Sequence, residues 1–132
     1  MPRRILIVDD SAYVRRSMRA LFAGQRDFEI CGEATDGQNG IEQAEKLNPD
    51  LIILDLSMPV MNGLDAARAL RLSRPGIPII LYSLYSDGAI QAEAIAAGVR
   101  AVVSKADMDD LIDIAIAIFK DKERSKASNQ ES

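Results

Sequence analysis

Five short apolar runs, each followed by a segment of helical periodicity, constrain what this chain can fold into more than any other feature. The runs are ILIV (5–8), FEICGEA (28–34), LIIL (51–54), IPIIL (77–81) and VRAVV (99–103), spaced roughly 25 residues apart. Four of them are nearly continuous in apolar character, as strands covered on both faces must be. FEICGEA instead alternates through Phe28, Ile30 and Gly32, which predicts a more exposed edge strand.

The gaps carry helix signals. In SAYVRRSMRALFAG, Val14, Met18, Leu21 and Phe22 share a face, Ser11 suits a helix start and Gly24 a helix end. Helical patterns follow over 37–47, 63–72, 86–98 and 107–119, with stops at Asn48-Pro49, Pro75-Gly76 and Gly98. Strand followed by crossover helix, five times over, predicts an α/β fold with a parallel sheet and helices on both faces. One doubly wound order for such a five-stranded parallel sheet, built from five βα units, is 2-1-3-4-5. Residues 1–120 are read as one domain and 121–132 as a polar, flexible tail.

Composition narrows the function classes. A formal net charge of −4 gives no basic footprint for nucleic acid. No apolar run reaches membrane-spanning length, and the N-terminus lacks the long apolar stretch of a signal peptide. The single cysteine, Cys31, cannot form an internal disulfide, so a cytoplasmic setting is the default. The absence of histidine excludes histidine-based catalysis and zinc sites built on that residue. GQNG (37–40) is neither a dinucleotide-binding nor a Walker loop, which argues against a tightly held nucleotide.

In a doubly wound sheet, ligands bind outside the carboxyl ends of the strands. Asp9 and Asp10 follow the first run, Asp55 the third, Tyr82 and Ser83 the fourth, and Ser104 and Lys105 the fifth. Any one of these would be an ordinary turn, cap or surface residue. Together they are costly. Two like charges about 4 Å apart repel by roughly 4 kcal/mol at an effective dielectric near 20, and three carboxylates make three such pairs. Their sum rivals the whole stability of a small domain, and one lysine cannot offset it. Protons or a hard divalent cation must, and an all-oxygen donor set suits magnesium or manganese. A carboxylate, a hydroxyl and an ammonium beside such a cation can also hold a phosphoryl group.

The segments IVDDS, LIILDLSMPVMNG, IPIILYS and GVRAVVSK resemble the response-regulator receiver domain of two-component signalling over about residues 3–120. GEATDGQNGIEQA and KADMDDL look most like receivers of regulators with helix-turn-helix output domains. The resemblance implies Asp55 as phosphoacceptor. It implies magnesium held by the Asp10 and Asp55 carboxylates and the Ser57 carbonyl, with Asp9 acting through a water. Ser83 would hydrogen-bond a phosphoryl oxygen, and Lys105 would pair with Asp55 and then with the phosphoryl group. The implied donor is a histidine kinase or a phosphotransfer protein, with small phosphodonors as a lesser route.

Three positions depart from that family's pattern. Leu84 replaces a small residue and is expected to crowd the phosphoryl pocket. Val102 replaces the aromatic switch of the last strand, leaving Tyr82 or Tyr85 as substitutes. Ala106 replaces a proline in a cis peptide. A cis Lys105–Ala106 bond would cost about 2.5–4 kcal/mol, so a trans bond is expected.

The last helical segment has an apolar arc roughly 200° wide, where about 100° suffices against a sheet. Either the helix is deeply buried, or Ile114 and Ile118 meet a partner, most simply a second copy in a homodimer; the resemblance implies the fourth and fifth helices as the dimer surface. Arg15, Arg16 and Arg19 are read as a solvated basic face. The resemblance implies a phosphorylation-controlled signalling switch and not a turnover enzyme on a separate substrate; two alternatives stay open, a receiver-like binding module without a phosphorylation response and a magnesium-dependent phosphatase. Phosphatases with an aspartate nucleophile want a second aspartate two residues on, where Ser57 stands. No output domain follows residue 120, so the chain is expected to be a stand-alone receiver or part of a longer regulator.

Overall fold

The computed structural model describes residues 1–84 and 87–131, with side chains through Ser125. The elements alternate as β1 (Arg3–Val8), α1 (Ala12–Ala23), β2 (Phe28–Ala34), α2 (Gly37–Leu47), β3 (Leu51–Asp55), α3 (Gly63–Ser73), β4 (Ile79–Ser83), α4 (Gly88–Ala96), β5 (Ala101–Ser104) and α5 (Asp110–Glu131). The strands are parallel and ordered β2-β1-β3-β4-β5, the expected doubly wound sheet. Among the described residues no helix is long and apolar enough to cross a membrane.

The pleat sorts each strand's side chains between two cores. Ile5, Ile7, Leu51, Ile53, Ile80 and Tyr82 face α1 and α5, meeting Met18, Phe22, Leu111 and Phe119. Leu6, Val8, Ile52, Leu54, Ile79 and Leu81 face the alanine-rich sides of α2, α3 and α4. That is why the central strands read as unbroken apolar runs. β2 does lie at an edge, and its register against β1 slips between Ile5 and Leu6, passing over Cys31. Gly98 has φ +90, a conformation that favours glycine, and its N–H donates to the Ile95 carbonyl at the end of α4. Gly24 closes α1 at φ −82, so no left-handed turn is needed there.

Two expectations fail on α5. The helix continues through Glu131, so the segment read as a tail is helical. Residues 120–131 contain no glycine or proline, and half of them are Lys, Glu or Arg, so propensity favours extending an anchored helix. Ile118 is not a partner residue: it is 2% exposed and belongs to the core. Arg100 binds Asp121 and Lys122 binds the Gly76 carbonyl, tying the next turn to the loops before β4 and β5 beside Ile118. Ile114 is only half-buried.

Candidate functional site

β1 and β3 are neighbours in the sheet, so their carboxyl ends bring Asp9, Asp10 and Asp55 together. One oxygen from each carboxylate lies within 4.8 Å of the others. Asp9 and Asp55 are 1% and 2% exposed, whereas Asp10 is exposed. Ser11 caps α1, its hydroxyl accepting from the Val14 N–H, and its own N–H donates to Asp9 Oδ1 at 2.8 Å. The Ser57 N–H donates to Asp55 Oδ1 at 3.3 Å. Lys105 Nζ stands 3.2 Å from Asp55 Oδ1 and 3.8 Å from Asp9 Oδ2. Ser83 is buried at the end of β4, level with Ser104 on β5.

Asp9 Oδ2 and Asp55 Oδ2 are buried and accept no hydrogen bond. Burial, the main cause, raises the carboxyl pKa of both residues above the ordinary 3.8, against the lowering effects of the Ser11 N–H at Asp9 and of Lys105 at Asp55. Three clustered carboxylates, two of them with a buried oxygen that accepts no hydrogen bond, fit a hard cation that takes oxygen ligands. An open cleft beside them is lined by Asp10, Ser57, Met58, Pro59 and Asn62.

The departures resolve individually. The Lys105–Ala106 bond is trans, as expected. The Ser104 hydroxyl accepts from the Ala106 N–H at 3.2 Å and caps a short 3-10 turn over Lys105–Asp107, and that turn redirects the chain. Leu84 is 69% exposed, so its side chain is not packed into the site. Val102 is half-buried against the α2–α4 core. Tyr82 is a core residue, its hydroxyl pushed up to about 12 by burial, and Lys105 Nζ lies 5.4 Å from its ring centroid. Tyr85 lies outside the described residues.

Sequence reasoning missed one participant. Arg15, read as part of a solvated face, donates to the Asp9 carbonyl at 2.7 Å and to Glu33 Oε1 at 2.9 Å. Its position four residues after Ser11 aims it back at the first turn, but only the placement of β2 supplies Glu33. Val60, with φ +67 in the loop between β3 and α3, was likewise unmarked by any sequence signal.

Residues 5–116 match the family model of the response regulator receiver domain. Protein-glutamate methylesterase/protein-glutamine glutaminase 1 of Methanosarcina acetivorans is 37% identical over 124 residues, or 92% of this chain and 35% of that protein. Chemotaxis protein CheY of Thermotoga maritima is 36% identical over 105 residues, or 80% of this chain and 87% of that protein. The chain thus spans between about a fifth and a third of the length of the methylesterase relatives. Among solved structures, a two-component response regulator of the LuxR family from Aurantimonas sp. superposes with a TM-score of 0.85 at 27% identity, covering 89% of this chain and 85% of that one.

Proposed function

The chain belongs to the response regulator receiver domain family, and on that premise we propose that Asp55 is the phosphoryl acceptor through which a two-component partner switches it. The observation that supports this most directly is Lys105 Nζ 3.2 Å from Asp55 Oδ1 while Asp55 Oδ2 accepts no hydrogen bond. One oxygen is paired with an ammonium, and the other, which has no donor, is the one that would bond to phosphorus.

Asp10 and Asp55 through their carboxylates, Ser57 through its carbonyl and Asp9 through water would hold Mg2+ or Mn2+. When bound, the cation supplies positive charge against the carboxylates and the phosphoryl oxygens. Asp55 is unprotonated when it attacks, so it needs no general base, in keeping with a chain that lacks histidine. A bond forms from an Asp55 oxygen to phosphorus as the bond from phosphorus to the donor breaks. A histidine kinase or phosphotransfer protein is the donor. Lys105 then pairs with the transferred group, and the Ser83 hydroxyl donates to one of its oxygens.

With Mg2+ and acetyl phosphate, the wild type is expected to gain one phosphoryl group by intact-mass spectrometry, and Asp55→Asn none. Turnover of phosphate esters would instead favour a phosphatase. Inertness of both proteins to acetyl phosphate and to beryllofluoride would favour a binding module without a phosphorylation response.

The signal is read as protein contact, not turnover of a separate substrate. Half-buried Ile114 leaves apolar surface on α5 for a second copy, through α4 and α5. Ile114→Asp is expected to lower the self-association constant about tenfold, the equivalent of roughly 1.4 kcal/mol. Sedimentation equilibrium unchanged by the substitution would remove that surface from consideration.

A further inference from the structure

We propose that Arg15 is a positioning residue for the acidic site, fixing the peptide plane between Asp9 and Asp10 by tying the Asp9 carbonyl to Glu33 on the edge strand. The inference rests on the receiver reading for its consequence, cation affinity, but not for its geometry.

Three atoms of Asp9 are held from three directions. Its N–H donates to the Ala34 carbonyl at 3.0 Å, continuing the pairing of β1 with β2. Its Oδ1 accepts from the Ser11 N–H at 2.8 Å. Its carbonyl accepts from Arg15 Nη1 at 2.7 Å. The last contact matters most for the neighbour. A peptide unit is planar, so holding the Asp9 carbonyl also sets the direction in which the chain enters Asp10. The side chain of Asp10 is exposed and makes no hydrogen bond or ion pair among the described residues, so its aim depends on the backbone that carries it.

Arg15 is itself fixed. Its side chain is only 17% exposed, and Nε donates to Glu33 Oε1 while Arg19 takes the other carboxylate oxygen. Glu33 lies on β2, level with Ile7 of β1. Burial works to raise the Glu33 carboxyl, but Arg19 and Arg15 outweigh it and hold it below its usual range. The bridge needs two donors in a rigid fork, one for the carboxylate and one for the carbonyl. Guanidinium has that shape and a lysine ammonium does not. Arg19 shares Glu33 but makes no hydrogen bond to Asp9, which makes it a matched control.

The test compares Arg15→Ala, Arg15→Lys and Arg19→Ala with wild type in two measurements on the unphosphorylated protein. One is the Mg2+ dissociation constant by calorimetric titration. The other is hydrogen exchange at the Ser11 amide, whose protection reports the turn after β1. Loss of a group that orients metal ligands typically weakens binding about tenfold or more. Both Arg15 variants are expected to show that loss and faster Ser11 exchange, with Arg19→Ala near wild type. The proposal is overturned if Ser11 exchange in both Arg15 variants matches wild type, or if Arg19→Ala weakens Mg2+ binding as much as they do. A wild type that binds no Mg2+ would defeat the receiver reading, and Ser11 exchange would still decide the clamp. Should Arg15→Ala fail to fold, Arg15→Lys carries the comparison with the charge retained.

Discussion

Alanine at position 63 is expected to lower the unfolding free energy by about 3 kcal/mol and to impair phosphoryl uptake at Asp55. The Gly63 N–H donates to the Leu56 carbonyl at 2.9 Å, so α3 begins hard against the end of β3. A methyl group there would press on the Asp55 carbonyl oxygen and lie 2.9 Å from the Leu56 Cα. Both are backbone atoms, which cannot swing aside as a side chain can. Either α3 moves out or the Asp55–Leu56 peptide moves, and the second displaces the acceptor carboxylate directly. Urea unfolding measures the first effect and intact-mass spectrometry with acetyl phosphate the second. Wild-type behaviour in both would mean that the loop between β3 and α3 yields more easily than its hydrogen bonding suggests.

The second large effect concerns the buried carboxylates. Asp9 and Asp55 have pKa values raised above 3.8, chiefly by burial, so the folded chain holds protons that the unfolded chain has already released. The stability this contributes is full below the unfolded value and is lost as pH climbs through the raised folded values. Above them, the metal-free protein carries two poorly solvated charges. Glu33 runs the other way. Its pKa is lowered, so its contribution is present at neutral pH and fades in acid.

Mg2+ at a hundred times its dissociation constant is therefore expected to add about 2.7 kcal/mol at pH 7. The gain should shrink as pH falls into the range where protons compete for the same oxygens. In chelator, Asp55→Asn is expected to be more stable than wild type by about 1–2 kcal/mol, because a buried charge is replaced by a neutral amide of similar shape. It should also respond less to Mg2+. Thermal unfolding with and without chelator, across pH, reads all of this. A less stable Asp55→Asn would mean that the ion pair with Lys105 outweighs the desolvation of Asp55.

Much of the site was legible because its residues sit at strand ends. In the order 2-1-3-4-5, β1, β3, β4 and β5 lie side by side, so Asp9, Asp10, Asp55, Ser83 and Lys105 converge at their carboxyl ends. The capping role of Ser11 was legible for the same local reason. Failures cluster where a residue's neighbour comes from elsewhere in the chain. Ile118 falls on the flank of an apolar arc, and a helical wheel cannot show that Arg100 and Gly76 anchor the next turn beside it. Arg15 falls in a basic stripe, and periodicity cannot show that β2 brings Glu33 to it.

The sequence by itself determined the parallel sheet and the identity of the carboxylate cluster, while the flavodoxin-like order 2-1-3-4-5 rested on the fold that its motifs resemble. The first two follow from short-range signals: apolar period, helix caps, and charged residues placed directly after buried strands. Tertiary structure alone decided which oxygens are left without donors, that Leu84 stays out of the pocket, and that Lys105 reaches Asp55 across a trans bond. Only it showed α5 continuing as a helix through Glu131. Each of these depends on distances between segments remote in sequence, and burial and hydrogen bonding are properties of that packing, not of any segment alone.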